Sequence, residues 1–223
     1  MKLNILSLLC FVSLSALAQN QAAKVYETEI YKKRLEAFKA DKLQKGQIVL
    51  LGNSLTQGGD WELYFPRQQP ANRGIVGDNT DGMWARLDEI VEAQPRKLFL
   101  LMGVNDISQD VANSYIAGNI KKILRRVKTE SPETSIYLQS LLPVNNSFGR
   151  YKRLLNKEKQ IKALNKRLRK LGRREHVTFI DLYPLFLDKT GTMLNEAYTT
   201  DGLHLNEEGY AVWVEAIRSF MEE

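Results

Sequence analysis

The 223-residue chain has a single cysteine and only two histidines. The cysteine, Cys10, lies in an apolar run near the N-terminus and follows Leu9, where lipid attachment would want a small residue. Without that run the chain has no thiol, which excludes disulfides and cysteine catalysis and leaves oxygen and nitrogen groups to do any chemistry. Two histidines are few for a metal centre. No His-x-His or His-Glu-x-x-His spacing occurs, and Asp60, Asp78, Asp106 and Asp201 are scattered in the manner of caps and turns, so no metal is implied. Gly-x-Gly-x-x-Gly and phosphate-loop patterns are missing, so no nucleotide cofactor is implied either. Gly-x-Ser-x-Gly is missing too, so a serine mechanism cannot use the elbow of α/β-hydrolases. There is no internal repeat, low-complexity linker or shift in composition that would mark a second domain.

What is present begins with Lys2, the run Leu3 to Leu17, and Ala16-Leu17-Ala18 before Gln19. A charged start, a short apolar stretch and small residues at its end form the pattern of a signal peptide. The run is short for a membrane helix, which needs about 20 apolar residues, and Ser7, Ser13 and Ser15 interrupt it. Residues 1–18 are therefore expected to be a signal peptide, and residues 19–223 one exported domain with no stable membrane span. The formal charge is +6, and losing Lys2 with residues 1–18 leaves +5. An exported basic protein favours acidic glycans or membrane surfaces, and no motif points to nucleic acid.

Short apolar runs alternate with longer helical patterns, the mark of β-α repeats and a parallel sheet. Five strands are expected at Gln47–Leu51, Asn72–Ile75, Lys97–Met102, Ser135–Ser140 and Val177–Ile180. Helices are expected near Tyr26–Lys42, Met83–Ala93, Ile116–Thr129, Tyr151–Leu171 and Asn206–Met221. In the fourth, Leu154, Leu155, Ile161, Leu164, Leu168 and Leu171 recur at helical spacing, which makes the many Lys and Arg of Arg150–Arg174 a solvated face. Three strands end in small or polar residues, at Gly52-Asn53-Ser54, Gly77-Asp78-Asn79 and Gly103-Val104-Asn105-Asp106. Ligands of open α/β sheets bind beyond the carboxyl ends of the strands, so these loops should converge.

The two histidines differ in their neighbours. His204 stands three residues after Asp201, close enough for the carboxylate to hold Nδ1–H and leave Nε2 as a base. His176 leads straight into a strand and reads as a surface or strand-start residue. Ser54 follows the first strand directly, at the ligand edge of the sheet. Taken one at a time these residues have plainer readings: Ser54 or Asn105 as helix caps and Gly77 as a turn glycine.

Taken together they resemble a family. Gly52-Asn53-Ser54-Leu55, Gly74-Ile75-Val76-Gly77-Asp78, Gly103-Val104-Asn105-Asp106 and Asp201-Gly202-Leu203-His204 are similar, in order, to the four blocks of the SGNH (GDSL-like) hydrolases. The resemblance implies a three-layer α/β/α sandwich of flavodoxin-like type with a five-stranded parallel sheet. It implies a serine esterase without cofactors, in which Ser54 attacks, His204 is the base and Asp201 orients it. The backbone N–H groups of Ser54 and Gly77 and the side-chain amide of Asn105 would form the oxyanion hole. Asn53 stands where the family usually has aspartate; shape survives but charge does not, and activity is expected to persist. Export, small size and the lack of a long lid favour a small-molecule or glycan ester, such as an O-acetyl group on a carbohydrate. A lysophospholipase or thioesterase on the same scaffold, or a non-catalytic glycan-binding protein, are the alternatives.

Overall fold

The computed structural model describes residues 22–223, so the expected signal peptide and its cleavage point lie outside the described residues. Five parallel strands, β1 (Ile48–Gly52), β2 (Ala71–Gly74), β3 (Lys97–Leu101), β4 (Ser135–Gln139) and β5 (Thr178–Ile180), form one sheet in the order β2-β1-β3-β4-β5. Direct parallel pairing requires crossovers, and helices supply them. The helices are α1 (Glu29–Ala40), which precedes the sheet, α2 (Ser54–Gln57), α3 (Trp61–Tyr64), α4 (Thr80–Ala85), α5 (Leu87–Glu92), α6 (Val104–Ser108), α7 (Asn113–Glu130) and α8 (Glu158–Arg174) between strands, and α9 (Glu207–Glu222), which follows the last strand. The order is that of the flavodoxin-like folds, whose ligand crevice opens where the chain reverses direction between β1 and β3.

Side-chain alternation along the strands builds two cores. Val49, Leu51, Leu98 and Leu100 face the layer of α4, α5, α7 and α8, where Leu87, Ile120, Leu124, Leu164 and Leu168 meet them. Ile48, Leu50, Phe99 and Leu101 face the other way, toward Leu55, Trp61, Trp213, Ile217 and Met221 of α2, α3 and α9. Each such side chain, removed from water, contributes about 1.5–3 kcal/mol, which is why β1 and β3 read as unbroken apolar runs. Gln139, buried in the second core, is tolerated because Trp213 Nε1 donates to its side-chain oxygen at 2.6 Å.

The strands and the three-layer architecture agree with the sequence reading to within a residue or two at each end. Three helices differ. The N-terminal one is a 3-10 turn over Ala22–Glu27 and then α1, separated by the helix-capping Thr28. The stretch Met83–Ala93 breaks at Arg86, whose side chain is drawn into the interior. The expected helix from Tyr151 starts only at Glu158; before it runs an extended segment with a 3-10 turn at Lys152–Leu154 and a left-handed Asn156. Leu154 is buried there, but Leu155 is 42% exposed and belongs to no apolar face.

Candidate active site

The first loop sets a hydroxyl at the end of β1. Asn53, fully buried, accepts the Leu55 N–H on Oδ1 at 3.0 Å and so caps α2. Ser54 is thereby released from capping. The turn is pinned from within its own layer, where Tyr210 Oη donates to the Leu55 carbonyl at 2.8 Å and Trp61 Nε1 donates to the Thr56 carbonyl at 2.8 Å.

The Asp201–His204 loop arrives from 150 residues away. Ser54 Oγ and His204 Nε2 stand 2.9 Å apart, and His204 Nδ1 is 2.8 Å from Asp201 Oδ2. Oδ1 of the same carboxylate accepts the backbone N–H groups of His204 at 2.8 Å and Leu203 at 2.9 Å. Burial works to raise the Asp201 carboxyl, but hydrogen bonds from the His204 ring, these two amides and the Tyr151 hydroxyl outweigh it and hold it at about 2. An ionised Asp201 keeps the imidazole proton on Nδ1 and turns the free nitrogen to Ser54.

The loops after β2 and β3 close the other side. Gly77 has φ of +78°, and an added Cβ would meet nothing within 4 Å, so its backbone conformation and not crowding favours glycine. Asn105 Nδ2 donates to the Asp78 carbonyl at 2.8 Å; Gly103, not Asn105, occupies the position before α6. A primary amide has two N–H groups, and this bond uses one of them. The three sequence blocks therefore converge as expected, and neither Ser54 nor Asn105 spends its side chain on a helix cap.

The acids once weighed as metal ligands have other partners. Asp60 caps α3, and Asp106, whose carboxyl burial pushes up to about 6 against hydrogen bonds from Thr80, accepts the Thr80 N–H and hydroxyl. Asp78 pairs with Arg86 at 2.8 Å, and burial, opposed by that guanidinium, raises its carboxyl to about 6. Among the described residues no three His, Cys, Asp or Glu side chains gather into a metal-binding group. His176 is exposed, with φ of +51°, in the turn leading into β5. That is the opposite edge of the parallel sheet from Ser54.

Two functional contributors escaped the sequence reading. Arg86 donates through Nε to Asp78 at 2.9 Å and through Nη2 to the Gly52 carbonyl at 3.0 Å, so one buried guanidinium ties the β1 loop to the β2 loop. Its position in a helical stretch gave no hint of burial. Tyr151 Oη lies 2.8 Å from Asp201 Oδ2 and 2.9 Å from His204 Nδ1, its ring edge-on to the imidazole at 5.6 Å. The turn-forming Asn145-Asn146-Ser147 and Gly149 just before it were the available sign that a helix had not yet begun.

The chain as a whole has counterparts elsewhere. The family model for the GDSL-like lipases and acylhydrolases matches residues 50–212. The chain belongs to the GDSL-like lipase/acylhydrolase family. Members of this family are hydrolases acting on ester bonds. Among solved structures, a GDSL-like lipase of Bacteroides thetaiotaomicron superposes with a TM-score of 0.75 at 24% identity, covering 85% of this chain and 96% of that one. The acetylxylan esterase Axe2 of Geobacillus stearothermophilus gives a TM-score of 0.64 at 14% identity, covering 82% and 97%. An N-acylneuraminate cytidylyltransferase of Escherichia coli is 31% identical over 169 residues, 74% of this chain. The chain spans only 38% of that curated relative's length. Among the described residues of this GDSL-like protein, no helix is long and apolar enough to cross a membrane.

Proposed function

We propose that this GDSL-like protein is an exported esterase that removes short acyl groups, O-acetyl above all, from carbohydrates. Ser54 attacks the ester carbonyl while His204 Nε2 takes its proton, and Asp201 stabilises the imidazolium. The carbonyl oxygen becomes an oxyanion between the N–H groups of Ser54 and Gly77 and the free amide N–H of Asn105. Collapse expels the alcohol, which receives the proton from His204; water then attacks the acyl-enzyme by the same route and releases the acid.

The observation that carries the chemistry is the 2.9 Å contact between Ser54 Oγ and His204 Nε2, continued at 2.8 Å to Asp201. The substrate class draws on the openness of the site. The His204 side chain is 35% exposed, and on the adjoining lip Phe148, 39% exposed, lies against Gly202. An exposed ring beside an open nucleophile suits a bulky alcohol part such as a sugar, whose apolar face can lie on an aromatic ring. The names of two relatives, an acetylxylan esterase and an N-acylneuraminate cytidylyltransferase, also concern carbohydrates that carry acyl groups. Export rests on the signal-peptide pattern of residues 1–18.

The test is acetate release from acetylated xylan and acetylated monosaccharides beside fatty-acid release from lysophosphatidylcholine. Acetate release that is abolished in Ser54→Ala is expected; release of long-chain acid alone would replace the substrate class, and glycan binding without hydrolysis would replace the enzyme.

A further inference from the structure

The hydroxyl of Tyr151 touches both groups that make His204 a base, yet it belongs to neither the four blocks nor the helix that follows. It sits on the segment between β4 and α8, which is fastened at both ends. Upstream, the Asn145 N–H donates to the Gly202 carbonyl at 2.8 Å, and Asn145 Nδ2 to the Leu194 carbonyl at 2.8 Å. Downstream, the Leu154 N–H closes a turn on the Tyr151 carbonyl at 2.8 Å while the Leu154 side chain is buried in the core. Gly202 makes this close seat possible: a Cβ there would come within 2.3 Å of the Asn145 carbonyl and 3.2 Å of Phe148. Gly202, inside Asp201-Gly202-Leu203-His204, thus lets a second segment lie flush against the loop that carries the base.

Three polar atoms meet in a near-equilateral triangle: Tyr151 Oη to Asp201 Oδ2 at 2.8 Å, Tyr151 Oη to His204 Nδ1 at 2.9 Å, and Nδ1 to Oδ2 at 2.8 Å. Two hydrogens serve it. A carboxylate can only accept, so the Tyr151 hydroxyl donates to Oδ2 and Nδ1–H points to the same oxygen. Burial and the adjacent Asp201 charge push the phenol up to about 12, so it keeps its proton at any pH at which the enzyme would work. If the imidazole proton moved to Nε2, the bare Nδ1 would face both the carboxylate and the phenol oxygen, and the hydroxyl would have to turn from one to the other. The arrangement therefore favours the tautomer that leaves Nε2 free toward Ser54.

We infer that Tyr151 is a positioning residue of the catalytic machinery, a fourth member that holds Asp201 and His204 in register and draws part of the carboxylate's charge onto its own hydroxyl. This inference rests on the reading of Ser54, His204 and Asp201 as the catalytic groups. The charged and titratable groups facing the imidazole are Asp201 from its own loop, Tyr151 from the β4–α8 segment and Ser54 from the β1 loop, with Arg150 acting on Tyr151 from the next position. Without the phenol hydroxyl the carboxylate's charge is less shared and attracts a proton on the imidazole more strongly, so acid should silence the enzyme at a higher pH.

The experiment is Tyr151→Phe, which keeps the ring and deletes one oxygen, with 4-nitrophenyl acetate as the probe ester and wild type, Ser54→Ala and His204→Ala beside it. Melting temperature and circular dichroism are recorded to show that the variant is folded. The expected result is a fall in kcat of about ten-fold or more, in keeping with loss of a hydrogen bond to a charged group. KM should stay within about two-fold, because the lost contact serves the transition state and not binding. The acid limb of the kcat/KM profile should move up by about half a pH unit or more. A Tyr151→Phe enzyme with the wild-type acid limb overturns the inference, whether or not its kcat has fallen, since a merely structural role leaves the limb in place. The two readings fail separately: an active Ser54→Ala or His204→Ala would undo the catalytic assignment, whereas inactive controls beside an unmoved limb would undo only the part given to Tyr151.

Discussion

The two walls of the site are built on different principles. The wall of β1, β2 and β3 loops is interior structure: Asn53, Asp78 and Asp106 are buried, Arg86 bridges the β1 and β2 loops, Asn105 ties the β3 loop to the β2 loop, and α9 braces the β1 loop through Tyr210. The wall from Asn145 to Lys157 is a surface segment in which Ser147, Phe148, Gly149 and Arg150 all face solvent, held by a few hydrogen bonds and one buried leucine. In the proposed mechanism the first wall presents fixed donors where charge develops. The second presents exposed side chains where an alcohol part would lie. Chemistry that a family shares is best placed on rigid elements, and selectivity on loops that can vary without unfolding the domain.

This contrast can be broken most forcefully at Arg86. Replacing it with leucine leaves Asp78 buried without its cation and should cost about 3–5 kcal/mol of stability by denaturant titration. Burial already raises the Asp78 carboxyl to about 6, above its ordinary value. Its protonated form is therefore the one folding favours, and this contribution is lost as pH rises through about 6; without the guanidinium the carboxyl is raised further, so the Arg86→Leu deficit should grow as pH rises above about 6. A deficit that is small and independent of pH would mean the pair is not what joins the loops.

Asn105→Ala comes next. It removes one proposed oxyanion donor and should lower kcat by about 100- to 1000-fold with KM little changed. A variant of wild-type kcat would take Asn105 out of the hole. On the opposite wall, Phe148→Ala should leave kcat on 4-nitrophenyl acetate within about two-fold but raise KM for an acetylated oligosaccharide by about five-fold or more, the worth of one exposed aromatic contact. Equal effects on both substrates would erase the division of labour between the walls. The smallest change belongs to Asn53→Asp: either side chain can cap α2, so kcat per folded molecule should stay within about three-fold. A larger loss would show that the missing charge at this position matters.

The difference between the walls also governs what could be read before any coordinates. β1 and β3 were legible because strands buried on both faces are apolar along nearly their whole length, and Ser54, Asp201 and His204, which the structure brings together, were legible because each lies in a short block of sequence. Tyr151 was not. Leu154 and Leu155 extend the helical spacing of α8 backwards, and periodicity alone cannot tell a buried 3-10 leucine from a helical one. The left-handed Asn156 ends that illusion, since a chain cannot pass through positive φ and remain helical. Arg86 was hidden for a different reason. An arginine among helical residues is usually solvated, and only the loops folded around it, Gly52 on one side and Asp78 on the other, make it an interior group.

The account turns on whether Ser54 is the nucleophile, and a fluorophosphonate probe followed by peptide mass spectrometry asks that directly. The prediction is a single covalent adduct on Ser54, formed in step with loss of esterase activity and greatly slowed in His204→Ala. Complete inactivation with the adduct on another residue, or full activity retained by Ser54→Ala, would contradict it.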